Sequence, residues 1–288
     1  MTPKKIALLT DSSADLRWET AEENNIFFVP LRILCRDGEY LDGVDIRGTD
    51  VYQRLHAGEL PQTSLPRVED FAAKLHEIFE KGYDGVIAVM LSSGLSGTYN
   101  LARLVAEECK EQGRAMAAFD SLSGSLGLGM TVLQLAEDIK NGMGWEELTQ
   151  HRAPQLIANT YPFFTLDTLE YLQKGGRISK TAASIGRLAG IKPIITIDEE
   201  GKVAVCGKQR GNKNVFRQII KYVEADMPDE NYSVYFLYSA DKKNCISFIQ
   251  TLQKNGLDFG KIKTREIGPT IGSHIGPGAF GIVYVANK

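Results

Sequence analysis

No stretch of this sequence stays apolar for the ~20 residues that a membrane-crossing helix needs. Its start, Met1 to Leu9, carries two lysines and then an apolar run too brief for a signal peptide's core and cleavage site, so a cytoplasmic protein with no transmembrane segment is expected. Cysteine is scarce. Cys35, Cys109, Cys206 and Cys245 lie far apart, form no C-x-x-C pair and have no nearby histidine, which argues against a zinc set and for reduced thiols. An excess of one charge is missing too: 33 basic residues stand against 36 acidic ones, and no basic stripe marks a nucleic-acid partner. The phosphate-cradling patterns G-x-x-x-x-G-K-[ST] and, after the first strand, G-x-G-x-x-G are absent, which makes a nucleotide-binding module the weakest reading. No repeat or low-complexity segment stands out.

What is present is 288 residues, 43% hydrophobic and 24% charged, enough for more than one packed core. The first half alternates short β-rich runs with amphipathic helices, the pattern of a doubly wound, mostly parallel α/β sheet. Strands are expected at Lys5 to Thr10, Ile26 to Leu34, Val86 to Leu91 and Ala115 to Phe119, with a helix starting at Ser64 and Pro66 and another from about Gly124 to Lys140. From about Tyr161 the rhythm changes. Phe163 to Leu166, a hairpin over Pro193 to Val205, Ser233 to Tyr238, Ile262 to Ile267 and Gly281 to Ala286 read as strands of an α+β domain. The expected domains are therefore 1–157 and 158–288, the boundary falling between Pro154 and Tyr161.

Three small-residue loops are candidates for a site. Ser92-Ser93-Gly94-Leu95-Ser96-Gly97-Thr98-Tyr99 follows the central strand, where open α/β sheets bind ligands, and its amides and the next helix's positive end suit an anion. Helix capping by Ser93 and Ser96 explains the same residues equally well. Pro61-Gln62-Thr63-Ser64-Leu65-Pro66 reads by itself as a helix cap, and Gly268 to Gly281 is a glycine-dense loop holding His274, one of four histidines. Lys174-Gly175-Gly176-Arg177 reads as a helix end with basic residues offsetting the dipole, Asp11-Ser12-Ser13 as a cap, and Phe27, Phe28, Phe163 and Phe164 as core.

Together the segments Thr10 to Leu16 (TDSSADL), Thr63 to Pro66, Ser92 to Tyr99, Leu169 to Ile178 (LEYLQKGGRI) and the His274 loop resemble the DegV family, in order and over essentially the whole chain. The resemblance implies two domains with a ligand tunnel between them and a long-chain fatty acid as ligand, with no cofactor, no metal and no catalytic machinery of the chain's own. It also implies a partner in some members: a bacterial ATP-dependent fatty acid kinase that converts the bound acid to an acyl phosphate for phospholipid synthesis. Carried onto this sequence, Thr63 and Ser93 bind the carboxylate, His274 supports it, Arg210 in KQRGNK resembles a family arginine near the site, and Ser64, Ser92, Gly94, Ser96 and Gly97 form the supporting loops. Arg177 is a candidate for the kinase-docking surface. Leu65 stands where the family often has glutamine.

Physics agrees with such a ligand. Burying roughly 14 methylenes at about 0.8 kcal/mol each gives a gross gain of about 11 kcal/mol before binding costs, so the tail dominates affinity and the polar loops fix orientation. The alternative is a serine hydrolase using Ser93 or Ser96, but Gly94-Leu95-Ser96-Gly97-Thr98 lacks the last glycine of G-x-S-x-G and no histidine has an evident acidic partner in the sequence.

Overall fold

Strands form over β-prone runs, and those buried on both faces are the continuous ones such as Ile6–Asp11 and Gly85–Met90. In the first half the strands are Ile6–Asp11 (β1), Ile26–Val29 (β2), Arg32–Cys35 (β3), Gly38–Leu41 (β4), Gln62–Ser64 (β5), Gly85–Met90 (β6) and Ala115–Asp120 (β7). A computed structural model describes residues 2–178, 190–230, 234–257, 259 and 262–286. β2, β1, β6 and β7 make a parallel four-stranded sheet in that order. Alternation along β1 sends Ile6 and Leu8 to one core, shared with helix Leu126–Lys140, while Ala7 and Leu9 enter another. Helices Val68–Glu80 and Thr98–Glu111 cover that second face.

The expected single strand over Ile26 to Leu34 is instead two. Pro30 has no amide proton to continue the ladder, and the chain leaves the parallel sheet there to form a three-stranded antiparallel sheet, β4-β3-β5. This correction matters for the site, because β3 offers an edge to Gln62–Ser64 and pairs Ile33 with Thr63. Thr63 and Ser64 are thus strand residues, and the following helix starts only at Val68.

The second half contributes Thr160–Thr165 (β8), Ile191–Ile197 (β9), Val203–Arg210 (β10), Val234–Tyr238 (β11), Ile262–Glu266 (β12) and Phe280–Val285 (β13). They form a six-stranded sheet, β10-β9-β8-β13-β11-β12, in which only β11 and β12 run parallel. Ser233, the expected start of β11, lies outside the described residues. Helix Ala153–Asn159 packs Ala153 and Leu156 on the parallel sheet's core, and β8 opens the second sheet directly after it. Helix Leu126–Lys140 joins the two layers: Leu128, Val132 and Leu135 face the parallel sheet, while Leu126 and Met130 share a core with Ile195, Leu237 and Val283 of the six-stranded one. No helix among the described residues is long and apolar enough to cross a membrane.

The glycine-dense segment is not all loop. Pro269–Ile275 is a short helix, started by Pro269 in its first turn and ended by Gly276 at φ 72°. Glycine count alone hid it, since the glycines sit at its ends and at Gly272, where a side chain would meet the Tyr52 hydroxyl.

Candidate functional site

Between the carboxyl ends of the parallel strands and the six-stranded sheet lies a cavity of about 800 Å³, its open mouth included. Its wall is mostly aliphatic: Leu31, Leu91, Leu95, Leu237, Ile267 and Ile271 contribute, and Phe164 is the one phenylalanine among the described lining residues. Of the four phenylalanines considered from sequence, Phe163 and Phe28 belong to cores, Phe27 packs beside one, and Phe164 alone lines the cavity.

Two of the polar lining side chains meet directly. Thr63 from β5 and His274 from helix Pro269–Ile275 both line the cavity, and Thr63 Oγ1 lies 2.8 Å from His274 Nε2 although 211 residues separate them. Burial, and then the nearby charge of Arg177, push the His274 pKa down to about 4. The imidazole is therefore neutral near pH 7. Arg177 lines the same cavity, with its Nε donating to the Leu95 carbonyl at 3.3 Å and a terminal nitrogen to the Gly175 carbonyl. It is thus a cavity residue rather than only a helix-end charge.

Arg210 is placed differently. It lies exposed at the end of β10, opposite Ile191, and is not among the cavity residues. Among the described residues the arginine of the cavity is Arg177, which follows helix Glu170–Lys174 and its two-glycine end.

The Ser92 to Tyr99 loop also departs from expectation. Its amides are used within the protein: Ser93 N–H donates to the Asp120 carboxylate at 3.1 Å, Gly94 N–H to Ser92 Oγ, and Leu95 and Ser96 N–H to the Ser92 carbonyl. Ser93 is exposed and does not line the cavity, and the adjacent Asp120 carboxylate would oppose a bound anion. From this loop Leu95 and Ser96 reach the wall, with Ser96 Oγ 2.9 Å from Thr98 Oγ1. Ser92 instead clasps the β9–β10 turn, its Oγ donating to the Gly201 carbonyl at 2.7 Å, and Gly94 packs against that carbonyl too closely for a side chain. Gly97 precedes helix Thr98–Glu111 beside the exposed Leu65, and Ser64 stays in the β3–β5 ladder.

No support for a hydrolase emerges. His274 Nε2 is committed to Thr63, its Nδ1 faces Gly175, and none of its described partners is a serine or a carboxylate.

Gly175 explains part of the KGGR segment. Its φ of −74° suits any residue, but a Cβ there would lie 2.3 Å from His274 Nδ1. Gly175→Ala is therefore expected to displace the imidazole and cost about 1–3 kcal/mol by overpacking. Urea unfolding together with a histidine side-chain NMR spectrum checks both parts.

Two carboxylates behind the wall have unusual acidity. Burial pushes Asp15 up to about 7 and Asp42 up to about 6, each offset in part by its hydrogen bonds. An acid whose pKa is raised in the folded state keeps its proton where the unfolded chain has lost it, so stability falls as pH rises through the interval from about 4 to the folded pKa. His274 acts oppositely, losing stability as pH falls from about 6.5 toward 4. Stability should thus stay level from pH 8 to about 7, rise on acidification to about 6.5, hold between about 6.5 and 6 where His274 offsets Asp15, and rise again below about 6 as Asp42 takes its proton. Asp15→Asn should remove most of the first slope, as thermal melts at half-unit pH intervals would show.

A family model described as an uncharacterised protein of the DegV family matches residues 5–287. The chain belongs to the DegV family. A DegV domain-containing protein of Clostridium acetobutylicum is 36% identical over 286 residues, covering 97% of this chain and 98% of that protein. Among solved structures, a DegV family protein of Thermus thermophilus, described by its fatty acid binding, superposes with a TM-score of 0.88 at 33% identity, covering 98% of this chain and 100% of that one. DegV of Bacillus subtilis, described as a fatty acid binding protein, gives 0.84 at 28% identity over 99% of this chain and 100% of that one. A stearic acid-binding protein of Eubacterium ventriosum gives 0.85 at 26% identity over 98% of each chain. The mixed α/β architecture is that of the DegV structures.

Thr63 and His274 were legible as part of a motif set. Arg177, Thr270 and the Gly124-Ser125 turn were not taken as cavity residues. The last had a usable signal: it follows the carboxyl end of β7, on the same edge as the Ser92 loop.

Proposed function

We propose that this DegV protein is a cytoplasmic acyl carrier: it buries the tail of a long-chain fatty acid in the aliphatic cavity and holds the carboxylate at Thr63, His274 and Arg177. The observation that carries this reading is that Thr63, His274 and Arg177 line one mostly aliphatic cavity, with Thr63 bonded to His274. A neutral His274 gives the group a defined polarity. When Nε2–H donates to Thr63 Oγ1, the threonine proton is left to donate to a carboxylate, and Arg177 supplies the countercharge without ionising the histidine. The relatives described by their fatty acid ligands support the choice of ligand.

We further propose that the chain does no chemistry itself and presents the carboxylate to an ATP-dependent fatty acid kinase, which forms the acyl phosphate. The four free cysteines fit a reducing compartment. Mass spectrometry of lipid extracted from purified protein should recover an intact long-chain fatty acid, and a bacterial fatty acid kinase with ATP should convert it to acyl phosphate only when the carrier is present. Recovery of no lipid, with no palmitate binding by calorimetry, would remove the carrier reading. Binding without phosphorylation would remove only the kinase partnership.

A further inference from the structure

Three carboxylates are buried behind the cavity, and the carrier reading does not use them. Asp11, Asp15 and Asp42 are 0%, 6% and 2% exposed. None lines the cavity, yet each is hydrogen-bonded to a residue that does. Asp11 Oδ2 accepts the Leu91 amide at 2.7 Å. Asp15 Oδ2 accepts the Ser125 hydroxyl, and its Oδ1 accepts the Gly268 amide at 3.0 Å. Asp42 Oδ2 accepts both the amide of Thr270, at 3.3 Å, and its hydroxyl. Leu91, Ser125 and Thr270 belong to three separate walls: the turn after β6, the turn after β7 and the helix that bears His274.

Burying carboxylates is a costly way to fill space, and apolar side chains of similar size would do so more cheaply. What a carboxylate adds is two acceptor oxygens able to hold several donors at fixed angles. Asp42 uses this on a critical element. Thr270 and His274 are four residues apart, on one face of helix Pro269–Ile275, so the rotation that Thr270 takes also sets where the imidazole points. The fit is close, since a Cβ on Gly268 would lie 2.3 Å from Asp15 Oδ1. On their far side Asp15 and Asp42 border a polar cleft of about 1130 Å³ with Arg17, Arg47 and Arg265. Arg265 Nε in turn donates to the Asp15 carbonyl at 2.6 Å.

We propose that Asp11, Asp15 and Asp42 are positioning residues for the cavity, each fixing one wall from behind, and that the Asp42–Thr270 bond aims His274 at Thr63. The ligand's identity rests on the carrier reading, whereas the frame itself does not. Thr270→Val removes the hydroxyl at nearly constant volume, and Thr270→Ser keeps it. Palmitate affinity by calorimetry is expected to fall about tenfold in Thr270→Val, the worth of one hydrogen bond to a charged group, and to stay within about twofold of wild type in Thr270→Ser. The His274 imidazole NMR signals should move in the valine variant and stay in place in the serine variant. Asp42→Leu, which removes the acceptor oxygens, should reproduce the valine result. If it does not fold, the two Thr270 variants decide alone. Equal palmitate affinity and unmoved His274 signals in Thr270→Val would overturn the frame. A wild-type protein that binds no palmitate would overturn the carrier reading instead, because the imidazole comparison still judges the frame without ligand.

Discussion

An Arg177→Met protein is expected to bind palmitate about thirtyfold more weakly than wild type, a loss of about 2 kcal/mol, while its affinity for hexadecanol stays unchanged. Methionine keeps much of the apolar stem and removes the charge. The alcohol matches the acid in tail and lacks the anion, so the pair of ligands separates countercharge from packing. A second consequence follows from the same charge. Arg177 helps to hold the His274 pKa down, so its removal should raise that pKa from about 4, with burial keeping it below 6.5. An NMR titration of the imidazole reads this directly. Equal losses for palmitate and hexadecanol, with an unmoved titration, would assign Arg177 to packing alone.

The larger expected effect concerns the tail. If the cavity is an acyl site, each methylene taken from a saturated fatty acid should weaken binding about fourfold, and shortening from 16 to 12 carbons should cost about 3 kcal/mol, about 200-fold in Kd. Because the carboxylate is the same throughout the series, its contacts cancel. Calorimetry on the even-numbered acids gives the slope. A flat series would mean that the chain lies outside the cavity, and the aliphatic lining would then need another explanation.

Legibility in the sequence tracked how local each determinant was. β1 and β6 were readable because buried parallel strands are short continuous apolar runs, and both lie within a residue or so of the expected bounds. Pro30 was present to be read as a strand breaker, yet the β-prone residues on either side outweighed it, and only the pairing of β3 with β4 and β5 gave the second half its own sheet. Helix Pro269–Ile275 was missed for a related reason: glycine depresses helix propensity, and packing of Gly272 on Tyr52 overrode it. Ser93 and Ser96 differ by three positions and little in chemistry. Which of them faces the cavity depends on how the Asp120 carboxylate, from a neighbouring strand, takes up the Ser93 amide.

Arginine placement shows the same division. In sequence, Arg177 and Arg210 are both basic residues near a glycine, and nothing within a few residues of either tells which one a cavity will receive. Helix Glu170–Lys174 and its glycine turn send Arg177 inward beside His274, whereas the outermost strand of the six-stranded sheet leaves Arg210 exposed.

By itself, then, the sequence determined the layered α/β plan and the change of pattern near Tyr161, and its short motifs carried the resemblance to the family. These rest on periodicities and residue types that act within a few positions of one another. Tertiary structure alone decided that Arg177 lines the cavity, that Ser93 stays outside it, and that three acids from the first 42 residues accept hydrogen bonds from residues up to 253 positions away. Such contacts depend on where packed elements end and which way they turn, and a hydrogen bond between distant residues leaves no spacing in the chain to be read.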